Sequence, residues 1–150
     1  MPDRLKAMVS GLLRQERDLY VSLNKQIDHE LIAIDNDDMD LLLSILQEKQ
    51  SIISRQERLL ERWSDVSGEL GLTEGREGPA FWRALSEAVD AQGYQELVQA
   101  VREIRDLGAK ALRLEALAQK NLEAKVTEFR EKMSRIAGGK KAVRGYMGNL

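Results

Sequence analysis

From Leu42 to Leu70 one set of positions steps by three and four residues without a slip: Leu42, Ile45, Lys49, Ile52, Gln56, Leu59, Trp63, Val66 and Leu70. Seven of these nine are apolar. Such a row lies along one side of a helix and packs lengthwise on another helix. A chain organised this way builds long surfaces rather than an enclosed pocket, which points to binding. Met39, Leu46, Ile53 and Leu60 recur every seven residues beside the row. They widen the apolar face to that of a bundle helix, and at least one further helix is expected to pack there.

The same periodicity runs through most of the chain and predicts an all-α fold. Leu5, Val9, Leu12, Glu16, Leu19 and Leu23, then Ile27, Leu31 and Ile34, define a first helix over roughly residues 3–34. Asp35-Asn36-Asp37-Asp38 ends it, because short polar side chains compete for nearby backbone and favour caps and turns. Asp37 or Asp38 then caps a second helix running to about Leu70. So short a link makes the two helices a long antiparallel hairpin. Gly71–Gly78 reads as a loop and the weakest internal point. Pro79 opens a short helix to about Ala91, Gly93 breaks it, and a long C-terminal helix follows from about Tyr94 to Ala137. Gly108 within it asks for close packing or a slight bend. The expected architecture is an elongated bundle, residues 1–137, with a flexible basic tail, 138–150. That tail has four glycines, three Lys or Arg residues and no acid.

Charge and composition narrow the function classes. A net charge of −2 provides no global basic field for nucleic acid. The absence of cysteine removes disulfide and thiolate chemistry. No run approaches the roughly 18 apolar residues of a membrane span, so no stable membrane insertion is expected. The N-terminal MPDRLKAMVSGLLRQERD lacks the pattern of a signal peptide, and a cytoplasmic protein is expected.

Motifs that suggest chemistry fail on spacing. Asp35, Asp37, Asp38 and Asp40 do not keep EF-hand register, since Met39 and Leu46 fall on ligand positions. They read as turn and cap. His29-Glu30 begins like a zinc-protease helix, but position 33 is Ala, and His29 is the chain's one histidine. Gly138-Gly139-Lys140-Lys141 lacks the residues and the preceding strand of a phosphate loop. No enzyme, cofactor or metal is expected. Glu16, Lys49 and Gln56 interrupt the apolar rows. A hairpin turning near residue 36 would set Glu16 opposite Gln56, a polar pair that fixes register. Trp63, Phe81 and Trp82 form the expected packing centre under the short helix.

The chain also resembles a family. Leu12-Leu13-Arg14-Gln15-Glu16 with Tyr20, Leu23, Glu30-Leu31 and Asp35 looks like the opening helix of FlgN-type flagellar export chaperones. Met39-Asp40-Leu41-Leu42, Glu48-Lys49-Gln50 and Ile52-Ile53 continue the likeness. Asn121-Leu122 resembles the family's late Asn/Leu signature, and Tyr146-Met147-Gly148 its Tyr-and-Gly tail. The resemblance implies a cytosolic chaperone of the flagellar type III secretion system. Its partners would be the hook–filament junction (hook-associated) proteins and the cytoplasmic domain of the export gate.

On that reading a cargo helix lies along the last helix, with Leu112, Leu117, Leu122, Val126, Phe129 and Met133 as contacts. The family's tail tyrosine, which the export gate recognises, corresponds to Tyr146. Residues 97–117 are expected to be core, and 122–136 either core or groove. Two other readings compete. One is a structural coiled-coil module that only oligomerises, for instance as a homodimer. The other is a nucleic-acid accessory protein acting through its tail.

Overall fold

The computed structural model describes the backbone of residues 2–148 and the side chains of residues 3–138. Four helices account for it: α1 Pro2–Asp35, α2 Met39–Glu69, α3 Pro79–Ala88 and α4 Ala91–Gly148. Among the described residues there is no strand, and no helix is long and apolar enough to cross a membrane.

The α1–α2 turn is as tight as its composition requires. Asp37 takes φ 55°, a left-handed conformation that aspartate tolerates better than most residues. Asp38 caps α2, its carboxylate accepting from the Leu41 amide at 3.1 Å. Across the hairpin Arg4 meets Glu69, Gln15 meets Arg62 and Glu30 meets Lys49, so the two helices are antiparallel.

The main helix contacts are α1 with α4 and α1 with α2. Helix α1 is therefore the centre of the molecule. Lys6–Glu96 at 3.2 Å and Arg17–Glu103 at 3.7 Å show that α4 runs parallel to α1. The inner row of α4 is Leu97, Ile104, Ala111 and Ala118, all buried and seven residues apart. Its alanines keep α4 close to α1. A Cβ on Gly108 would meet the Tyr20 ring at 3.7 Å, an ordinary van der Waals distance, so the packing there does not demand the glycine that the sequence suggested.

This arrangement corrects the expected third-helix contact. Met39, Leu46, Ile53 and Leu60 are exposed, at 60, 43, 39 and 58%. The inner face of α4 docks on α1 instead, which leaves this α2 row uncovered by any other helix among the described residues.

The core has two parts. The larger gathers Leu5, Val9 and Leu13 of α1, Leu59 and Trp63 of α2, Phe81 and Leu85 of α3, and Leu97 of α4. Trp63 and Phe81 meet edge-to-face with centroids 6.1 Å apart, and Phe81 and Trp82 do so at 5.2 Å. The aromatic centre is where the sequence placed it. The smaller cluster, Ile27, Ala33, Ile34, Leu42, Ile45, Ala111 and Ala118, lies toward the hairpin tip.

A polar level separates the two clusters. Asn24 donates to the Leu107 carbonyl at 3.2 Å. Lys49 donates to Glu30 at 2.8 Å and is also paired with Glu115, joining α2, α1 and α4 at one point. The polar interruptions thus act across helices, but not as the expected Glu16–Gln56 pair. Glu16 is held by Arg76 from the 71–78 loop, with Nη1 and Nη2 each 2.5 Å from a carboxylate oxygen. A buried carboxylate gains more from a guanidinium fork than from a neutral amide. The same arginine stacks 4.5 Å over the Trp63 ring, and its carbonyl accepts from Trp82 Nε1. The loop, read as the weakest point, is thereby pinned to α1 and α2.

Two helix ends also differ from expectation. Helix α3 stops at Ala88, because Asp90 rather than Gly93 sets the next boundary. The Asp90 carboxylate accepts from the Gly93 amide at 2.6 Å and caps α4, so Gly93 lies inside its first turn. At the other end α4 passes Ala137 and Gly138 without a break and continues to Gly148.

Candidate binding surfaces

Helix α4 outruns the hairpin. Lys125 lies 3.3 Å from the Asp37 carboxylate and reaches the Asp35 carbonyl at 3.4 Å, level with the α1–α2 tip. Residues 126–148 continue past it, roughly 35 Å of helix at 1.5 Å per residue. Here the inner row of α4 has lost its partner, and its side chains change from small to large: Val126, Phe129, Met133 and Ile136 all stand exposed. Where the helix leaves the body, Leu122, Val126 and Phe129 share a cleft of about 490 Å³ with Met39 of α2. Asp37, Lys125, Glu128 and Lys132 supply its charges.

All six residues expected to contact cargo are exposed, Leu112 and Phe129 the most, at 74 and 64%. For Leu112 and Leu117 this corrects the expectation of core over 97–117, since the buried row runs instead through Ala111 and Ala118. The six are not all on one face. Leu122, Val126, Phe129 and Met133 fall together, and Leu112 lies within about 40° of Val126 around the helix at 3.6 residues per turn. Leu117 is about half a turn from Val126 and points away from the cleft. The side chain of Tyr146 lies outside the described residues.

Sequence reasoning missed Met39 as part of this surface, because it was assigned to an interhelix contact. Its position on the tip, one residue beyond the cap Asp38, was the available signal. Glu30 and Asn24 were also not singled out as buried polar partners, although both lie on the inward side of α1.

Lys49 forms a separate charged site where α1, α2 and α4 meet. Burial alone would lower the pKa of this ammonium. The hydrogen bonds it donates to Glu115 and Glu30, with their charges, outweigh that and raise it above the ordinary lysine value. Lys49 is therefore a permanent cation at neutral pH, enclosed by two carboxylates. The α1/α2 side offers a different surface, a hollow of about 590 Å³ lined by Arg55, Arg58 and Arg62 with Asp18, Glu61 and Asp65. Its mixed charges do not suit an apolar partner.

Among the described residues the most extended exposed feature is the apolar strip along α4, a surface whose shape and spacing suit another amphipathic helix. Compared with known proteins, residues 1–149 match the family model described as FlgN protein. No curated protein and no solved structure matches the chain.

Proposed function

The chain belongs to the FlgN protein family, whose role is flagellar export chaperoning rather than enzymatic catalysis, and on that premise we propose that it binds hook–filament junction proteins through the exposed face of α4 and delivers them to the export gate in the cytoplasm. The observation that supports this most is the overhang. Val126, Phe129, Met133 and Ile136 form an apolar helical face that no other helix of the chain covers among the described residues. An amphipathic cargo helix lying along it would bury both stripes at about 25 cal/mol per Å² of apolar surface. Leu122 extends the same face back along the body, Leu112 lies toward its edge at about 100° from Phe129 around the helix, and Leu117 stands outside it.

Titration with the C-terminal segment of a junction protein encoded in the same genome tests the cargo reading. Phe129→Asp should weaken binding by tenfold or more, as expected for an aromatic anchor. Its melting temperature should stay that of the parent, because an exposed side chain contributes within about 0.5 kcal/mol. Leu117→Asp should bind normally. Equal loss in both variants, or in neither, counts against α4 as the cargo face.

Delivery is assigned to the segment 138–150 with Tyr146, on the strength of its match to the family's tail. Tyr146→Ala should reduce affinity for the gate's cytoplasmic domain while leaving cargo affinity intact. Calorimetry showing unchanged gate binding would remove Tyr146 from the handover.

A further inference from the structure

Helix α2 carries a second row with the spacing of a helix interface. Met39, Leu43, Leu46, Gln50, Ile53, Glu57 and Leu60 step by four and three residues. The first row of α2 is buried against α1, whereas the apolar members of this one are exposed, Leu43 by 57%. Over 39–60 it is roughly 32 Å long. At the tip it joins the α4 face, since Met39 shares the cleft of Leu122, Val126 and Phe129. At the other end Ile53 and Leu60 line a hollow of about 350 Å³ with Glu57 and Glu77.

Charge decides what fits. The cation in that hollow, Arg76, is committed to both oxygens of Glu16. Glu57 and Glu77 have no ion-pair partner among the described residues. In the two symmetric pairings centred on this row a second copy of the chain does not complement them. Parallel copies in register would set Glu57 against Glu57. Antiparallel copies centred on Gln50 would set Leu43 against Glu57, with Asp40 beside Glu61. Like charges and a carboxylate against leucine both oppose pairing.

We propose that the Met39–Leu60 row of α2 is a second docking strip for the cargo. It takes an amphipathic helix of the partner whose apolar stripe is bordered by Lys or Arg where it passes Glu57 and Glu77. The inference rests on the cargo reading above and extends the bound length from the α4 overhang back along α2. Apolar burial supplies the affinity, and the two carboxylates set the direction of the bound helix.

The test uses the full chain and the junction-protein C-terminal segment in binding titrations at two salt concentrations. Three variants are compared with the parent: Ile53→Asp, the double variant Glu57→Lys/Glu77→Lys, and Phe129→Asp. Ile53→Asp should weaken binding about tenfold. The double reversal should weaken it similarly and remove much of the salt dependence, with melting temperature unchanged in both. If Ile53→Asp fails to fold, the double reversal decides alone, since its side chains are exposed. If the parent itself does not bind, the cargo reading fails and this inference with it. Loss of binding in Phe129→Asp, with both α2 changes silent, overturns the second strip and leaves the cargo reading standing. A parent dimer that Ile53→Asp dissociates without changing cargo affinity also overturns it and assigns the row to a second copy.

Discussion

Lys49→Met will cost about 3–5 kcal/mol of stability in urea titrations, among the largest effects expected of a single substitution in this chain. Methionine keeps most of the stem volume, so the loss isolates the charge. Glu30 is buried and its described ion-pair partner is Lys49, at 2.8 Å. Without the ammonium its carboxylate must stay charged and unpaired or take up a proton. Glu115 is half-exposed and can turn to water. Lys49→Met combined with Glu30→Leu should therefore recover most of the loss, since removing both members of a buried pair is often nearly neutral. If Lys49→Met were as stable as the parent, the polar level would not hold the three helices in place.

The pH dependence at this site has a definite sign. The folded-state pKa of Lys49 is raised, so the protonated form binds its site more strongly in the folded chain than in the unfolded one. The stabilisation is complete below the unfolded lysine value, near 10.4, and is lost as pH rises through the higher folded value. Between pH 7 and about 9 the difference between parent and Lys49→Met should stay constant. It should shrink only in strongly alkaline solution.

Phe81→Ala is expected to cost about 3–5 kcal/mol as well, for a different reason. The ring is fully buried, edge-on to both Trp63 and Trp82. It is one of two fully enclosed side chains that α3 contributes, the other being Leu85. Its removal leaves a cavity where α1, α2 and α4 also meet, so those helices lose contacts too. Both tryptophans report on it, and their fluorescence should shift before the helical signal melts. Parent-like tryptophan emission together with a loss below about 1 kcal/mol would show that the site collapses to fill the void.

The fold was legible because its rows are long. A 30-residue stripe such as Leu5 to Ile34 specifies helix and inward face together. The turn aspartates locate the hairpin, and Pro79 locates the start of α3. What could not be read was which helix covers which row. Met39, Leu46, Ile53 and Leu60 look as ready for a partner as Leu97 and Ile104, since periodicity shows that a face is apolar and is silent on what meets it. Polar partners were hidden similarly. Arg76 is an unremarkable loop residue in the sequence, and its contact with Glu16 depends on a 60-residue return of the chain. At the candidate site the apolar residues of 122–133 were visible. Leu117 shares the apolar character of the stripe, yet the hundred-degree advance per residue sets it about half a turn from Val126.

The central position of α1 also orders events in time. Its contacts with α4 join residues such as Lys6 and Glu96 or Asn24 and Leu107, 83 or more positions apart. Those with α2 include Glu30 and Lys49, 19 apart. Closing the shorter loops costs less entropy. On a ribosome the first helix is made early, acquires α2 soon after, and keeps its α4-facing flank bare until residues beyond Ala118 emerge. Between the completion of α2 and the arrival of α4 the nascent chain thus carries an apolar helix half covered.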